Sequence, residues 1–164
     1  MEAPKQITPT KLADYLEVLT KAVFESGMSW RVIEAKWPGF QQAFHGFEPA
    51  RIAALSPDEV DALTGDTRIV RNRRKIESTI HNAATMLDLE REYGTFKAYL
   101  DAQGDFSSRV ADMQRRFKHV GAFGAYYFLY VVGEPVPDHH EFREKLLEGA
   151  RKTRARERQA ATPH

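Results

Sequence analysis

Apolar residues recur along this chain at intervals of three and four, the spacing that lines up one side of an α-helix, and they never alternate long enough to indicate a strand. Leu12, Tyr15, Leu16, Leu19 and Val23 form one stripe, opened by Thr8-Pro9-Thr10 and closed by Gly27. A second stripe starts at Ser29 and carries Trp30, Val32, Ile33 and Trp37. Pro38-Gly39 is expected to interrupt it before Phe40, Ala43 and Phe44 resume the pattern. Ser56-Pro57-Asp58-Glu59 supplies an N-cap, a proline at the first position and a glutamate three residues on, so a short helix is expected to run to Thr64 and stop at Gly65. A long helix follows from about Asn72 to Gly94, with Ile76, Ile80, Ala83, Ala84 and Leu87 on one face. Shorter helices are expected over Thr95–Leu100 and Ser107–Phe117. A tight turn, Phe117 to Gly124, then leads into the apolar run Ala125–Val132, and a last helix is expected over His140–Arg158. The pattern predicts an all-α fold: one compact helical domain over residues 1–164, frayed at 1–8 and 159–164.

Composition narrows the classes. Hydrophobic residues make up 42% and charged residues 29%, which fits a globular chain rather than a disordered one. No apolar run reaches the roughly 18 residues a membrane span needs, and the N-terminus lacks the apolar stretch of a signal peptide, so the cytoplasm is the expected compartment. There is no cysteine, hence no disulfide and no thiolate metal site. Net charge is +1, but the first 66 residues hold 6 Lys/Arg against 10 Asp/Glu, and the remainder holds 18 against 13. Such asymmetry is compatible with a nucleic-acid face.

The most informative stretch is Val120-Gly121-Ala122-Phe123-Gly124-Ala125 between two amphipathic helices. Glycines allow close approach of the backbone to a ligand, and the following helix offers unpaired N–H groups and a positive dipole end, both suited to phosphate. Lys118 lies just before it, preceded by Arg115 and Arg116. An ordinary helix–helix turn would also use glycine. Arg68, Arg71, Arg73, Arg74 and Lys75 give five basic residues in eight, either a phosphate-contacting patch or a solvated face partnered by Glu77 and Asp66. The final helix, Arg143–Arg158, holds 7 Lys/Arg against 3 Glu and could reach flanking DNA or serve as a solubilising tail.

Four motifs in order resemble the DNA-3-methyladenine glycosylase I family, over about residues 12–140. They are Ser26-Gly27-Met28-Ser29-Trp30 with Phe40 to Pro49, Ile69 to Ile76 with Asn82-Ala83, the hairpin Phe117 to Gly124, and Asp138-His139. The resemblance implies a helix-hairpin-helix DNA-binding element, with Lys118, Val120, Gly121, Ala122, Gly124, Arg71 and Arg73 toward DNA. It implies Gly27 and Met28 as a wedge filling the gap left by a flipped base, and Trp30 as the pocket aromatic. Read from apolar Val32, Ile33 and Phe44 alone, Trp30 would be a core residue.

Three departures from the family pattern stand out. Ala22 occupies the position of the family's base-recognising glutamate, and Glu25, one turn on, is the nearest carboxylate. The family's N-terminal segment, with pocket tyrosines and two zinc ligands, has no counterpart before Thr8. Of the C-terminal zinc pair only His139 remains, with Arg143 where cysteine is expected, so no metal and no other cofactor is expected. Asp138 is either a helix N-cap, the favoured reading, or a carboxylate stabilising an oxocarbenium-like sugar. Glu25 and Asp138 are therefore the candidate catalytic residues. No lysine stands at Phe123, where bifunctional relatives carry a nucleophile, so strand cleavage is not expected. The reading is a monofunctional N-glycosylase acting as a monomer on double-stranded DNA with a damaged base. The alternatives are a non-catalytic DNA-binding relative and a helical protein-interaction domain.

Overall fold

The computed structural model describes residues 3–161 and is helical throughout, with no strand among the described residues. Nine α-helices follow one another: α1 (Leu12–Glu25), α2 (Trp30–Ala43), α3 (Pro49–Ala53), α4 (Pro57–Thr64), α5 (Arg73–Tyr93), α6 (Phe96–Ala102), α7 (Phe106–Arg116), α8 (Ala122–Val131) and α9 (His139–Ala161), with a 3-10 turn at His45–Phe47 after α2. Contacts group the residues up to Glu134 into one compact unit and those from Pro135 onward into a second. No described helix is long and apolar enough to cross a membrane.

Local chemistry explains most of the boundaries. α4 begins as its sequence requires: Glu59 N–H donates to Ser56 Oγ at 3.2 Å, and Ser56 N–H donates back to the Glu59 carboxylate at 3.3 Å. Asn72, Thr95 and Asp105 each accept an N–H three residues on and so start α5, α6 and α7. Gly94, at φ +89°, closes α5 in the left-handed region.

Two expectations need correction. α1 starts at Leu12 rather than in Thr8–Thr10, because the Asp14 carboxylate gathers the Thr10 N–H, the Thr10 hydroxyl and the Lys11 N–H into one cap. α2 is not interrupted at Pro38-Gly39. The proline removes one N–H bond, and Gly39 lets the helix lie against the Arg68 backbone, where any Cβ would overlap the Arg68 carbonyl.

In the larger unit α1 packs against α5 and α8, and α5 also packs against α3, α4 and α6. Leu16, Leu19, Val23 and Phe24 from α1 are fully buried, as are Ile76, Ala83 and Met86 from α5 and Phe128 and Leu129 from α8. Beside them Trp37, Phe40, Phe44 and Phe47 form a ladder of stacked rings, the Trp37–Phe40 centroids 4.9 Å apart and the Trp37–Phe47 centroids 5.3 Å apart. At the chain start Ile7 N–H donates to Val131 O at 2.8 Å, and the Gln6 side chain donates to Tyr130 O at 2.9 Å, so this segment lies along the end of α8. Part of the terminal fraying expected from the sequence concerns residues 1, 2 and 162–164, which lie outside the described residues. In the smaller unit α9 extends three residues beyond Arg158.

Lys75, read from sequence as part of a phosphate patch, is buried. Its ammonium donates to Phe24 O at 3.0 Å and to Ser26 O at 2.5 Å, closing the C-terminal end of α1. Burial holds its pKa below the usual lysine range. Replacing it with methionine keeps the apolar stem but leaves the buried Phe24 carbonyl and the half-buried Ser26 carbonyl without this donor. Lys75→Met should therefore cost about 1–3 kcal/mol, read as a fall in thermal midpoint of roughly 3–10 °C for a chain of this length.

Candidate functional site

The hairpin between α7 and α8 is held from α5. Asn82 donates to Lys118 O at 3.1 Å and accepts from Lys118 N–H at 2.8 Å, so one carboxamide clamps both sides of a single residue's backbone. The His81 ring reaches Arg116 O at 3.1 Å. Ser78 Oγ lies 2.8 Å from Arg74 O and 2.7 Å from His119 Nδ1. Its single proton goes to the carbonyl, so the network assigns Nδ1–H of His119 as donor and leaves Nε2 as acceptor. His119 stands at φ +61°, a conformation non-glycine residues seldom adopt, and these bonds hold it there. Burial, then Arg74 and Lys75, lower its pKa, so its ring is neutral at pH 7.

Within the turn, Phe117 and Val120 point into the core while Lys118, His119 and Gly121 are exposed. Val120 can thus meet a ligand only through its backbone. Ala125 N–H makes the first bond of α8, to Gly121 O at 2.9 Å, and the N–H groups of the first turn precede it. Gly121 has φ −79°, and a Cβ there would meet nothing within 4 Å. A Cβ on Gly124 would find only Ala22 Cβ, at an ordinary 3.8 Å. Neither glycine is required by the fold.

This helix end forms one wall of an open cavity of about 440 Å³. Gly121, Ala122, Phe123 and Gly124 line one side, and Ala22, Glu25, Ser26 and Gly27 from the end of α1 line the other. His119 and Tyr127 complete it. Ala22 and Glu25 are one helical turn apart and share a face, so Glu25 enters the cavity that a longer side chain at position 22 would also enter. Burial raises the Glu25 pKa to about 7, Lys21 pulling it down and Glu34 pushing it up.

Trp30 is not a core residue: it is 46% exposed, and Trp37 fills the core instead. It lines a second cavity of about 500 Å³, with Trp37, Glu17, Lys21 and Glu34 and with the chain start from Ala3 to Ile7. Glu17 accepts from Trp37 Nε1 and from the Gln41 amide, each at 2.8 Å, and Glu34 pairs with Lys21. Gly27, at φ +73°, turns the chain between α1 and α2, and Met28, 41% exposed, sits at that turn.

The basic cluster divides. Arg68 pairs with Asp66, and Arg73 with Asp61 and Glu77. Arg71 is exposed, and Arg74 lines a cavity of about 450 Å³ with Glu77, Ser78, Lys118 and His119 beside the hairpin. Asp138 caps α9, accepting from His140 N–H at 3.0 Å and Glu141 N–H at 3.2 Å, in agreement with its favoured reading. Among the described residues no group of three or more His, Cys, Asp or Glu side chains converges. With no cysteine in the sequence, no thiolate metal site can form. Sequence reasoning missed Tyr127 and His119 as cavity residues. Tyr127 lies three residues beyond Gly124 on the same helix face, a signal hidden within a wholly apolar run.

The model of the methyladenine glycosylase family matches residues 9–114. The chain belongs to this family. The Escherichia coli (strain K12) DNA-3-methyladenine glycosylase 1 is 35% identical over 66 residues, 40% of this chain and 35% of the relative. The Haemophilus influenzae DNA-3-methyladenine glycosylase is 31% identical over 67 residues, 41% of this chain and 36% of the relative. The match thus spans about a third of each curated methyladenine glycosylase. A crystal structure of 3-methyladenine DNA glycosylase I superposes with a TM-score of 0.67 at 26% identity, covering 77% of this chain and 81% of that one. The Staphylococcus aureus 3-methyladenine DNA glycosylase I shares the fold, with a TM-score of 0.70 at 23% identity over 79% of this chain and 80% of that one. The all-α expectation holds.

A folded pKa near 7 against an ordinary value of 4.5 makes Glu25 a pH-dependent liability. Below about pH 4.5 it is protonated in both states and costs nothing. As pH rises towards 7 the unfolded chain loses the proton first, so stability falls and stays lower above pH 7. Glu25→Gln should melt like the parent at pH 4 and exceed it by about 1–2 kcal/mol at pH 8, a figure reduced for solvent screening. Equal midpoints at both pH values would contradict this environment for Glu25.

Proposed function

We propose that this protein is a monofunctional DNA N-glycosylase. It binds duplex DNA by the hairpin, extrudes an alkylated purine such as 3-methyladenine, and hydrolyses the N-glycosidic bond with water. The observation that carries the reading is the cavity joining Glu25 to the N-terminus of α8. Gly121 and Gly124 are not needed for packing, which is what a backbone surface kept clear for a phosphate would show. Exposed Met28, Trp30 and Phe123 supply an apolar rim against which an unstacked base pair can rest. The place of action is the cytoplasm.

Alkylation leaves the purine cationic and already a good leaving group. A cation entering the cavity favours the ionised form of Glu25, offsetting the burial that raises its pKa. The carboxylate then stabilises positive charge on the base and, as the bond lengthens, on the sugar. It stands at the place on α1 that the cavity offers when position 22 is alanine. Asp138, with its carboxylate committed to the start of α9, is the lesser candidate.

Ala22 also favours a second reading, a relative that binds duplex without turnover. One experiment separates them: incubation of the protein with methylated duplex and chromatography of the freed bases. Release of 3-methyladenine that rises with pH through about 7, and loses that limb in Glu25→Gln, supports the glycosylase. Binding without release supports the second reading.

Duplex affinity is expected to fall steeply with salt, because phosphate neutralisation dominates it. Gly121→Leu should weaken binding of all sequences alike with only a small fall in the thermal midpoint, since a Cβ there meets nothing within 4 Å and the cost is that of a poorer N-cap. A correctly folded Gly121→Leu protein with parental affinity would remove the hairpin from the interface.

A further inference from the structure

Glu25 and Trp30 line different cavities, and Tyr127 is the residue common to the two. The arrangement follows from how α1 and α8 cross. Ala22 and Gly124 are the small residues at close approach. On one side of them Glu25 and the start of α8 enclose the first cavity. On the other, Glu17, Val18 and Lys21 of α1 and Val131 of α8 border the second. Tyr127, one turn from both Gly124 and Val131, stands where the two would meet.

We propose that Tyr127 is the specificity-determining residue of this site, its ring partitioning the space between Glu25 and Trp30 and so limiting the size of purine that can be held, while its hydroxyl faces the base as a proton donor. The inference rests on the glycosylase reading. The chemistry of the surroundings is consistent: burial and the carboxylates of Glu25, Glu34 and Glu17 hold the phenol pKa well above its ordinary value, so the hydroxyl keeps its proton at neutral pH. A protonated phenol can donate to a ring nitrogen or exocyclic oxygen, which an ionised carboxylate cannot do. Tyr127 lines the Glu25 cavity together with the small residues Ala22 and Gly124.

The test is equilibrium binding of three free bases, 3-methyladenine, 7-methylguanine and the larger 1,N6-ethenoadenine, followed by intrinsic tryptophan fluorescence of the full chain. The same preparations are assayed for base release from methylated duplex. Tyr127→Ala removes the partition; Tyr127→Leu does so with more of the buried apolar volume kept, in case the alanine variant does not fold. Tyr127→Phe removes the hydroxyl alone. The parent should prefer 3-methyladenine to the etheno base by roughly tenfold or more, the range a snug apolar wall can provide. The leucine variant should bring that ratio towards one. The phenylalanine variant should keep the ratio and weaken binding of every base by about fivefold, the loss of one hydrogen bond. A folded leucine variant with the parental ratio overturns the proposal, and so does a parent that binds none of the bases. A ratio that shifts in the leucine variant without release by the parent supports the partition and overturns the glycosylase reading alone.

Discussion

Lys75, Ser78 and Asn82 lie on one side of α5, nearly excluded from water, and each reaches across to a segment that carries the candidate site. Lys75 holds the carbonyls at the end of α1, Ser78 holds the His119 ring, and Asn82 holds both sides of Lys118. Buried polar groups are costly unless paired. Here the partners at the two ends are backbone atoms, so the pairing fixes positions rather than side-chain identities. Seven residues of α-helix separate Lys75 from Asn82, about 10 Å along the axis. That length is the spacer between the end of α1, with Glu25, and the hairpin, with the start of α8. If either segment slid, a buried donor or acceptor would be orphaned. The cavity between them is therefore framed by hydrogen bonds that run back to α5.

The same construction places two positions of α1 at the cavity. Ala22 and Glu25 share a face of α1, and the helix end that Lys75 closes lies immediately beyond Glu25. A group one turn nearer the helix end still opens into the cavity, at its hairpin side. The small residue left at position 22 allows close approach of Gly124, and Tyr127 occupies the volume further along α8.

Helix periodicity and capping residues revealed the order and approximate limits of the helices, because both depend on neighbours within four positions. The misjudged features depended on distant ones. The continuity of α2 through Pro38 rests on Gly39 meeting Arg68, and the burial of Lys75 rests on carbonyls about fifty residues earlier. Arg73 reads as a phosphate ligand or a solvated partner of an acid in one dimension, and its pair with Asp61, twelve residues earlier, is visible only in three. The hairpin and the Glu25 candidate were legible, since Gly121, Gly124 and the place of Glu25 relative to Trp30 are local facts. The separation of Glu25 from Trp30 was not, because it is Tyr127, a hundred residues away in an unpatterned apolar run, that stands between their cavities.

The Asn82 clamp has a further property. A carboxamide neither gains nor loses a proton over the pH range in which proteins survive. The attachment of the Lys118 backbone to α5 is insulated from acidity by the chemistry of that one side chain. Glu25, across the cavity, titrates near neutrality. The hairpin anchor and the Glu25 wall of the cavity are thereby given different chemistries, one dipolar and constant, the other ionic and adjustable. A change of acidity can retune the second without loosening the first.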